Sequence, residues 1–397
     1  MTSTTAPKSV GYVVYSIKVN GQQVLDWPYD VQLQQRWGEH DLMTMKLYVP
    51  KGRPHKNRLV AWADLAPIEV AWGRQPGDIS TWYGYVHHHQ VHTEDVNTGD
   101  RAMLQIDYVC IGTSQVMDTD RQVTWQNIKP SDIAVRIAKN NRLRSVVTVT
   151  EWVIDYEVQA SQSDFKFLNK LANKYGFKFW VSGGTLYFID PSAVLSGASN
   201  YFVPHYVING IPGYRDTARQ FKLNEGSSMP GGYQATRSIS GIDSSTGKPF
   251  TVTNGTGSTS LVHTDLLARS YAEGKQLIDA TASLAQYWVG ATVQVFGQTI
   301  LYPGKVVHLS GYLLPDNLPA DYIVTGARHH LKQAGVTDPT KDLYITDLEI
   351  MTNSKAGTPL IKGVQKISPE LCTCILNGKT WQSTSMAVIT DGVLTTA

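Results

Sequence analysis

The chain has 397 residues, of which 42% are hydrophobic and 17% charged, so a folded core is expected and wholesale disorder is excluded. At roughly 100–200 residues per domain, this length predicts about two to four domains. Lys plus Arg number 35 and Asp plus Glu 33, for a formal net charge of +2. That balance excludes a polyanion-coating protein of the histone type at the level of the whole chain.

Two features bear on where the protein is made. The cysteines, Cys110, Cys372 and Cys374, are too few for a disulfide framework, and their odd number indicates a reducing site of synthesis. Residues 1–8 contain no apolar segment typical of a secretion signal. No run approaches the roughly 18 apolar residues of a spanning helix, so we expect no membrane insertion by this chain.

Residues 8–118 show the alternation of apolar and polar side chains that is typical of β-strands. Asn20-Gly21 lies between two such runs and is a strong hairpin signal. Short strands without a credible helix predict a small β-barrel or sandwich. The strand-like runs are 11–19, 22–27, 31–37, 42–49, 67–72, 82–91 and 102–111.

The pattern changes to a mixed α/β domain over residues 119–195. Pro130 suits the first position of a short amphipathic helix, because its missing N–H is not needed there. Ser163 suits the N-cap of a second helix, and Gly176 suits the position after its end. A hairpin is predicted to follow over residues 177–189.

The rest of the chain returns to strand patterning around one long helix. We expect a second β-barrel from residues 196–262 and 288–352, with a mobile loop at 240–260. The helix, at 263–287, is expected to be inserted in this barrel and to pack on the α/β domain. Residues 353–397 form a C-terminal tail with a hairpin. The predicted fold class is therefore mainly β with an α+β insertion: two small β-barrels, a mixed α/β domain and a tail.

Signatures of catalysis and cofactor binding are incomplete. The stretch from Gly241 to Pro249 resembles a phosphate-binding loop, but it has one residue too many between its glycines and ends on proline instead of Ser or Thr. Asn254-Gly255-Thr256 matches a glycosylation sequon, which we interpret as accidental without a secretion signal. No nucleophile elbow, zinc-protease pair or calcium loop appears. We expect no enzyme activity and no cofactor.

Two clusters have a functional and a structural interpretation. His87, His88, His89 and His92 are the best metal candidates, but no cysteine or carboxylate completes a set of about four ligands. We therefore favour a solvated or interface-facing strand, and no metal. Cys372 and Cys374 are interpreted as small apolar residues. A carbohydrate groove or, more commonly, core packing accounts for a set of aromatic residues: Trp125, Trp152, Phe179 and Trp180.

The segment from Ser161 to Asp190 is distinctive. Its Ser163-Asp164-Phe165, Phe167-Leu168 and Gly176-Phe177 steps, with Gly184 and Leu186 following, resemble a segment of bacteriophage tail hub proteins. That family includes the late-control D protein and the contractile baseplate hub, and it is related to the base of type VI secretion spikes. The resemblance covers about residues 10–352, and weaker matches follow in order at 82–86, 128–134, 291–297, 301–309 and 322–330.

The resemblance implies a structural protein of the virion, at the tail tip or baseplate, made in the cytoplasm of the bacterial host. It implies a homotrimer in which two similar β-barrels per chain give a pseudo-sixfold ring. Such a ring adapts the sixfold tail to a threefold central fibre or spike and encloses the DNA channel. The partners implied are a distal tail ring protein above, the fibre or spike below, the C-terminus of the tape-measure protein and DNA in transient, non-specific passage.

The tail has no counterpart in the resemblance and is expected to bind a partner. Its hairpin and apolar run would add strands to the fibre or spike. Two alternative functions remain, a tail-tip-associated cell-wall hydrolase and a carbohydrate-binding tail protein. The predicted partner-binding residues are Leu371, Ile375, Asn377, Gly378, Trp381, Met386, Val388 and Ile389.

Overall fold

The computed structural model describes most of the chain up to residue 352 and short strands beyond it. The described residues are 12–24, 28–50, 62–75, 78–97, 102–197, 203–208, 218–225, 236–255, 260–263, 268–285, 287, 289–311, 321–332, 343–352, 375–376, 379–380, 388–390 and 393–395. The predicted class is confirmed, since strands dominate and helices are few. None of the described helices is long and apolar enough to cross a membrane.

The first half of the chain forms the first β region and the α/β unit. The first region contains β1 (Tyr12–Val19), β2 (Gln22–Gln23), β3 (Pro28–Arg36), β4 (Leu42–Pro50), β5 (Pro67–Gln75), β6 (Asp78–Asn97) and β7 (Ala102–Gly112). A 3₁₀ turn at Thr113–Met117 leads to β8 (Asp120–Ile128), α1 (Pro130–Asn140), β9 (Arg144–Val147), β10 (Ile154–Ser163), α2 (Asp164–Tyr175), β11 (Lys178–Ser182), β12 (Thr185–Ile189) and α3 (Pro191–Gly197).

The remaining elements belong to the second β region, to an insertion in it, and to the tail. They are β13 (His205–Val207), β14 (Ala218–Glu225), β15 (Thr236–Ile242), β16 (Pro249–Asn254), β17 (Ser260–His263), α4 (Tyr271–Leu284), β18 (Val289–Phe296), β19 (Val306–Ser310), β20 (Asp321–Lys332), β21 (Leu343–Thr352), β22 (Ile375–Leu376), β23 (Lys379–Thr380), β24 (Val388–Thr390) and β25 (Val393–Thr395). The insertion consists of β15, β16, β17 and α4.

One hydrogen-bonded sheet of 13 strands runs through both β regions. Its path is β14-β18-β21-β20-β3-β4-β7-β6-β5-β1-β2, and β19 joins β20 to β13 beside that path. The two β regions in which barrels are expected thus share one hydrogen-bonded sheet, and its pairing does not close within the described residues. The reason is β20, which pairs with β19 through residues 321–323 and with β3 through residues 326–332. A strand of 12 residues is long enough to serve both regions.

The buried face of the shared sheet covers two separate hydrophobic cores. The first core holds Leu33 and Met43 of the first region, and it also includes Leu331 and Tyr344 from the second. The second core is built around Val293, Tyr322 and Leu348, among other residues. The first β region therefore completes its core with residues that lie more than 200 positions away in the chain, which local patterning does not reveal.

The α/β unit follows the expectations for its local structure. Ser163 caps α2 by accepting a hydrogen bond from Lys166 N at 3.3 Å, and Gly176 after the helix has φ 77°. Such a left-handed conformation favours glycine. The preceding helix, α1, begins at Pro130 as predicted. The hairpin of β11 and β12 turns at Gly183-Gly184.

The insertion differs from the expected mobile loop. β15 pairs with β16 and β17 in a three-stranded sheet that is separate from the shared sheet. The sequence predicts residues 196–262 as part of the second β-barrel, and these three strands do not join its other strands. Asp243 orders the turn between β15 and β16, because its Oδ1 accepts hydrogen bonds from the backbone N–H groups of Ser245 and Thr246. Ile239 and Val252 of this small sheet belong to the core of the α/β unit, with residues of α4.

The long helix is shorter than predicted. It begins at Tyr271, where the Ser270 side chain accepts a hydrogen bond from Glu273 N at 3.1 Å, and it ends at Leu284. Residues 264–267 lie outside the described part of the chain. The helix packs with Leu277 and Ile278 in the core of the α/β unit.

Candidate functional site

The shared sheet exposes one continuous surface on the side opposite the two cores, which we call the outer face. It spans β18, β21, β20, β3, β4 and β7, and the strand register aligns its side chains in rows across both regions. One row is Gln294, Asp347, Arg328, Gln34, Leu42 and Ile111, of which Ile111 is buried. The next is Phe296, Ile345, His330, Gln32, Thr44 and Val109, and the third is Leu343, Lys332, Asp30, Lys46 and Asp107.

The alternation of side chains along each strand produces this surface. On β3, Val31 and Leu33 are buried, while Asp30, Gln32 and Gln34 between them are partly exposed. Successive side chains of a strand point to opposite faces, so the apolar set faces the core and the polar set forms the outer face.

The charges on the outer face are interleaved and balanced. Its basic residues are Arg36, Lys46, Arg328 and Lys332, and its acidic residues are Asp30, Asp107, Asp347 and Glu349. Polar contacts connect neighbouring strands: Gln294 Nε2 donates to Asp347 at 2.8 Å, and His330 Nε2 lies 3.2 Å from Asp30. The outer face therefore has almost no net charge, although it also carries exposed apolar side chains at Leu42, Phe296 and Leu343.

The two β regions meet on this face at Gly326 of β20. The register places Gly326 opposite Arg36 on one side and opposite Glu349 on the other. The Arg36 guanidinium pairs with the Glu349 carboxylate across it. A Cβ at position 326 would lie 2.9 Å from Arg36 Cγ and 3.1 Å from Glu349 Oε2. Glycine is therefore required for the two side chains to meet over the shared strand.

A second contact joins the regions on the buried side of the sheet. The His329 ring packs 4.7 Å from the Trp72 ring and is fully buried. Its Nδ1 lies 3.0 Å from Thr346 Oγ1, and its Nε2 lies 2.7 Å from the carbonyl oxygen of Leu301. Burial lowers the pKa of His329 to about 4, although the bond to the Leu301 carbonyl acts to raise it. The neutral imidazole consequently donates from Nε2 and accepts at Nδ1.

The turn between β3 and β4 attaches the sheet to the α/β unit. The Trp37 and Trp180 rings stack with centroids 5.8 Å apart, and Gly38 N donates to Phe179 O at 2.7 Å. Asn169 Nδ2 donates to the carbonyl oxygen of Gly38 at 3.1 Å. Backbone and ring contacts together hold this turn of the sheet against β11 and α2.

A buried ion cluster holds the insertion on the α/β unit. Lys174 Nζ lies 2.8 Å from Glu157 and 3.3 Å from Glu273, and each of these side chains is less than 20% exposed. Burial acts to lower the pKa of Lys174, but Tyr175 and the two carboxylates outweigh it, so that the pKa is raised. The lysine therefore carries its charge and joins α2 to β10 and α4.

The histidines singled out in the sequence differ in their contacts. His92 Nε2 lies 3.1 Å from Asp107, the His89 ring lies 5.7 Å from the Tyr108 ring, and His87 and His88 are exposed. Among the described residues, no group of three or more His, Cys, Asp or Glu side chains is arranged to hold a metal ion.

For the four aromatic residues, the sequence favours core packing over a carbohydrate groove. Core packing is confirmed for Trp125, Phe179 and Trp180, which are buried in hydrophobic clusters. Trp152 is partly buried against the core of the α/β unit. Trp125 lies on β8, and Phe179 and Trp180 lie on opposite faces of β11, both of which are covered.

The predicted partner-binding tail is described only through its strands. β22 pairs with β23 on either side of Asn377-Gly378, and β24 pairs with β25. Ile375, Val388 and Ile389 lie on these strands, while Leu371, Asn377, Gly378, Trp381 and Met386 lie outside the described residues, as do Cys372 and Cys374. Binding of a partner by the tail remains a prediction.

Sequence reasoning did not identify the outer face. Polar residues alternate with apolar ones in β3 and β20, which indicates a polar face on each strand. Whether such faces align depends on which strands pair and in what register, and both come from tertiary structure. The balance of charge appears only when the rows of six strands are aligned.

Comparison with known proteins gives a consistent result. The family model of the phage tail baseplate hub (GPD) matches residues 65–335. No curated protein matches the chain by sequence. The tail protein from Neisseria meningitidis MC58 superimposes with a TM-score of 0.62 and 13% identity, covering 86% of this chain and 97% of that one.

Two further solved structures are similar to the chain. The 43 kDa tail protein of prophage MuSo2 from Shewanella oneidensis has a TM-score of 0.56 and 11% identity, covering 85% of this chain and 98% of that one. The c3393 protein of E. coli, a component of the type VI secretion system with similarity to the T4 tail proteins gp27 and gp5, has a TM-score of 0.52 and 9% identity, covering 84% and 76%. At these identities the likeness concerns the fold.

Proposed function

Since the chain belongs to the phage tail baseplate hub family, and is therefore a structural component of a phage tail and not an enzyme, we propose that three copies form a ring around the DNA channel. The ring would adapt the sixfold tail above to a threefold fibre or spike below. The single observation that carries this proposal is the shared sheet, which passes through both β regions.

The edges of the shared sheet support a ring. Within the described residues, β14 pairs only with β18, and the part of β6 beyond Val86 pairs only with β7. An unpaired edge is a template for a strand of another chain. Because the two edges differ, joining one to the other is a head-to-tail contact, and such a contact forms a ring where the rotation from one subunit to the next closes.

The native mass of the full chain in solution is the first test. Analytical ultracentrifugation is expected to give three times the mass of one chain. A stable monomer or dimer at micromolar concentration would contradict the trimer.

Cysteine crosslinking tests the edges. Lys222→Cys on β14 combined with His92→Cys on β6, in a chain with Cys372 and Cys374 replaced by Ser, is expected to form intermolecular disulfides on mild oxidation. The matched control combines Lys170→Cys, exposed on α2, with His92→Cys. A trimeric mass without crosslinks at the edges would retain the ring and reject this contact.

The outer face is proposed to line the channel. Its interleaved charges suit a surface along which DNA passes without being held, because affinity for DNA grows with each phosphate that a protein neutralises. Replacing Asp30, Asp107 and Asp347 by Asn and Glu349 by Gln leaves its four basic residues uncompensated. The assembled variant is expected to retain duplex DNA at low salt and to release it as salt rises.

A variant with the same change of charge elsewhere provides the control. Asp64, Asp120, Glu151 and Asp155 are exposed off the outer face, and replacing them by Asn or Gln is expected to have a smaller effect. Equal DNA retention by both variants, or tight and salt-dependent binding by the wild type, would contradict the lining.

The tail is proposed to bind the fibre or spike, with the distal tail ring protein and the tape-measure C-terminus contacting other surfaces. Deleting residues 355–397 is expected to leave the trimer intact and to abolish attachment of the fibre or spike. Dissociation of the truncated protein to monomers would instead assign the tail to the contact between subunits.

A further inference from the structure

We propose that the contact between the shared sheet and the α/β unit is a proton-sensitive clamp, closed when Asp41 carries a proton and loosened when Asp41 is ionised. Asp41 ends the turn between β3 and β4, and its side chain is directed into the contact between the sheet and the α/β unit. The inference does not depend on the trimer or on the channel.

Asp41 joins the two parts of the molecule through one carboxyl oxygen. Its Oδ2 accepts hydrogen bonds from Gln35 Nε2 at 2.9 Å and from Ser182 Oγ at 2.8 Å. Gln35 belongs to β3 of the sheet and Ser182 to β11 of the α/β unit, and Gln35 Nε2 also lies 2.6 Å from Ser182 Oγ. The residue is only 2% exposed. Water therefore cannot reach the carboxyl group while the contact is closed.

The backbone of Asp41 is held closely against the strand that follows β6. Gly112 N donates to the carbonyl oxygen of Asp41 at 2.7 Å. A Cβ at Gly112 would lie 2.8 Å from Asp41 Cβ, which shows how closely the two chains approach. On the other side of the contact, Gly184 N donates to Thr113 Oγ1 at 3.1 Å. Hydration of the carboxyl group consequently requires the α/β unit to separate from the sheet.

No cation of the described residues forms an ion pair with Asp41. Across the contact, Asp41 and Arg144 of β9 both act on Tyr187 of β12. His40 precedes Asp41 in the turn, but the charged groups that act on its ring are Asp118 and Lys166. Burial raises the pKa of Asp41 to about 7, against the hydrogen bonds from Gln35 and Ser182 that lower it. A buried carboxylate without a counter-ion is unfavourable, so the closed contact favours the protonated acid.

His40 responds to pH in the opposite direction. Its ring stacks on Phe165 with centroids 3.9 Å apart, and its Nδ1 lies 2.7 Å from Ser114 Oγ. Burial lowers the pKa of His40, and Lys166 adds to this effect, while Asp118 opposes it. Protonation of His40 in acid therefore favours the open contact, and a His40 variant is needed to separate the two residues.

The direction of the switch follows from proton linkage. In the open state the Asp41 carboxyl is hydrated and loses its proton near its ordinary pKa, whereas the closed state keeps the proton until about pH 7. Between these values a rise in pH ionises the open state alone. The opening equilibrium then shifts toward the open state by up to about tenfold per pH unit, and the shift ends once both states are ionised.

Hydrogen exchange of the full chain, read by mass spectrometry and corrected for intrinsic rates, tests the clamp. The amides that report on it are those of Gly38, Gly112 and Gly184, which are bonded across or beside the contact. In the wild type their opening equilibrium is expected to rise at least tenfold from pH 5 to pH 7 and to level off above pH 8. Amides in the core of the second β region serve as the reference.

Two variants separate the outcomes. Asp41→Asn cannot ionise and is expected to remove this rise, while His40→Gln is expected to keep it. The same pH dependence in the wild type and in Asp41→Asn would overturn the proposal, as would its loss in His40→Gln alone. Should Asp41→Asn fail to fold, the carboxyl ¹³C shift of Asp41 in the wild type decides, since a titration midpoint below pH 5 would also overturn the clamp.

Discussion

Arg36 and Glu349 form an ion pair over Gly326, the residue of β20 that lies between them in the shared sheet. Arg36 belongs to the first β region and Glu349 to the second, so the pair connects the regions across the strand they share. The absence of a side chain at position 326 is what allows the contact. This arrangement makes the middle of β20 the structural junction of the molecule.

Gly326→Val is expected to destabilise the protein by about 1–3 kcal/mol, the usual cost of adding atoms to a tightly packed site. The new side chain would meet Arg36 Cγ and Glu349 Oε2 within about 3 Å of its Cβ. Urea unfolding of the full chain measures the change. An unchanged midpoint would show that the neighbouring side chains move aside at no cost.

The ion pair itself is expected to contribute little. The Arg36 and Glu349 side chains are 40% and 43% exposed, and pairs at such exposure contribute about 0–1 kcal/mol. A double-mutant cycle of Arg36→Ala and Glu349→Ala measures their coupling. A coupling above about 2 kcal/mol would mean that the pair, and not the space at Gly326, holds the junction.

His329 and Asp41 are expected to affect stability in opposite directions with pH. The folded-state pKa of His329 is about 4, so unfolded chains take up a proton below about pH 6.5 and the native state does not. Stability is then lost as the pH falls from about 6.5 to 4, by roughly 3 kcal/mol in total. The folded-state pKa of Asp41 is about 7, so its contribution to the free energy of unfolding is lost over a similar range as the pH rises.

Unfolding free energies from pH 4 to 8 separate these contributions. Asp41→Asn is expected to reveal the loss in acid that is due to His329, and His329→Gln is expected to reveal the opposite slope that is due to Asp41. Parallel pH profiles for the wild type and His329→Gln would show that His329 accepts a proton in the native state.

Lys174→Met is expected to destabilise the α/β unit by about 3–5 kcal/mol, because it removes the cation that two mostly buried carboxylates share. Those carboxylates, Glu157 and Glu273, lie on β10 and α4. Lys170→Met is the matched control, since Lys170 is exposed on the same helix. Thermal unfolding of the two variants checks the difference, and equal midpoints would contradict a structural role for the cluster.

Asp78→Ala is expected to weaken the contact between the first β region and the loop after β18. Asp78 Oδ1 accepts hydrogen bonds from Thr299 N at 3.0 Å and from Thr299 Oγ1 at 2.6 Å. Loss of such charge-assisted bonds costs about 1.5–3 kcal/mol. Asp64→Ala, at an exposed position, is expected to change the unfolding free energy by less than about 0.5 kcal/mol.

Local structure was predicted well where local physical chemistry determines it. Ser163 caps α2 and Gly176 ends it because a hydroxyl satisfies free N–H groups and glycine accepts a positive φ. Pro130 begins α1 for the related reason that its missing N–H is not needed. The insertion was misread because β15 and β16 are rich in Ser, Thr and Gly, which resemble a loop until Ile239 and Val252 are seen to be buried.

The amino-acid sequence by itself determined the mainly β class, the helices and turns of the α/β unit and the resemblance to tail hub proteins, because capping, alternation and turn chemistry act between residues close in the chain. Only the tertiary structure decided that both β regions share one sheet, that its outer face is neutral and that Asp41 is buried against the α/β unit. Those properties depend on which distant strands pair and in what register, and the free energy of burial that selects the pairing is summed over the whole fold.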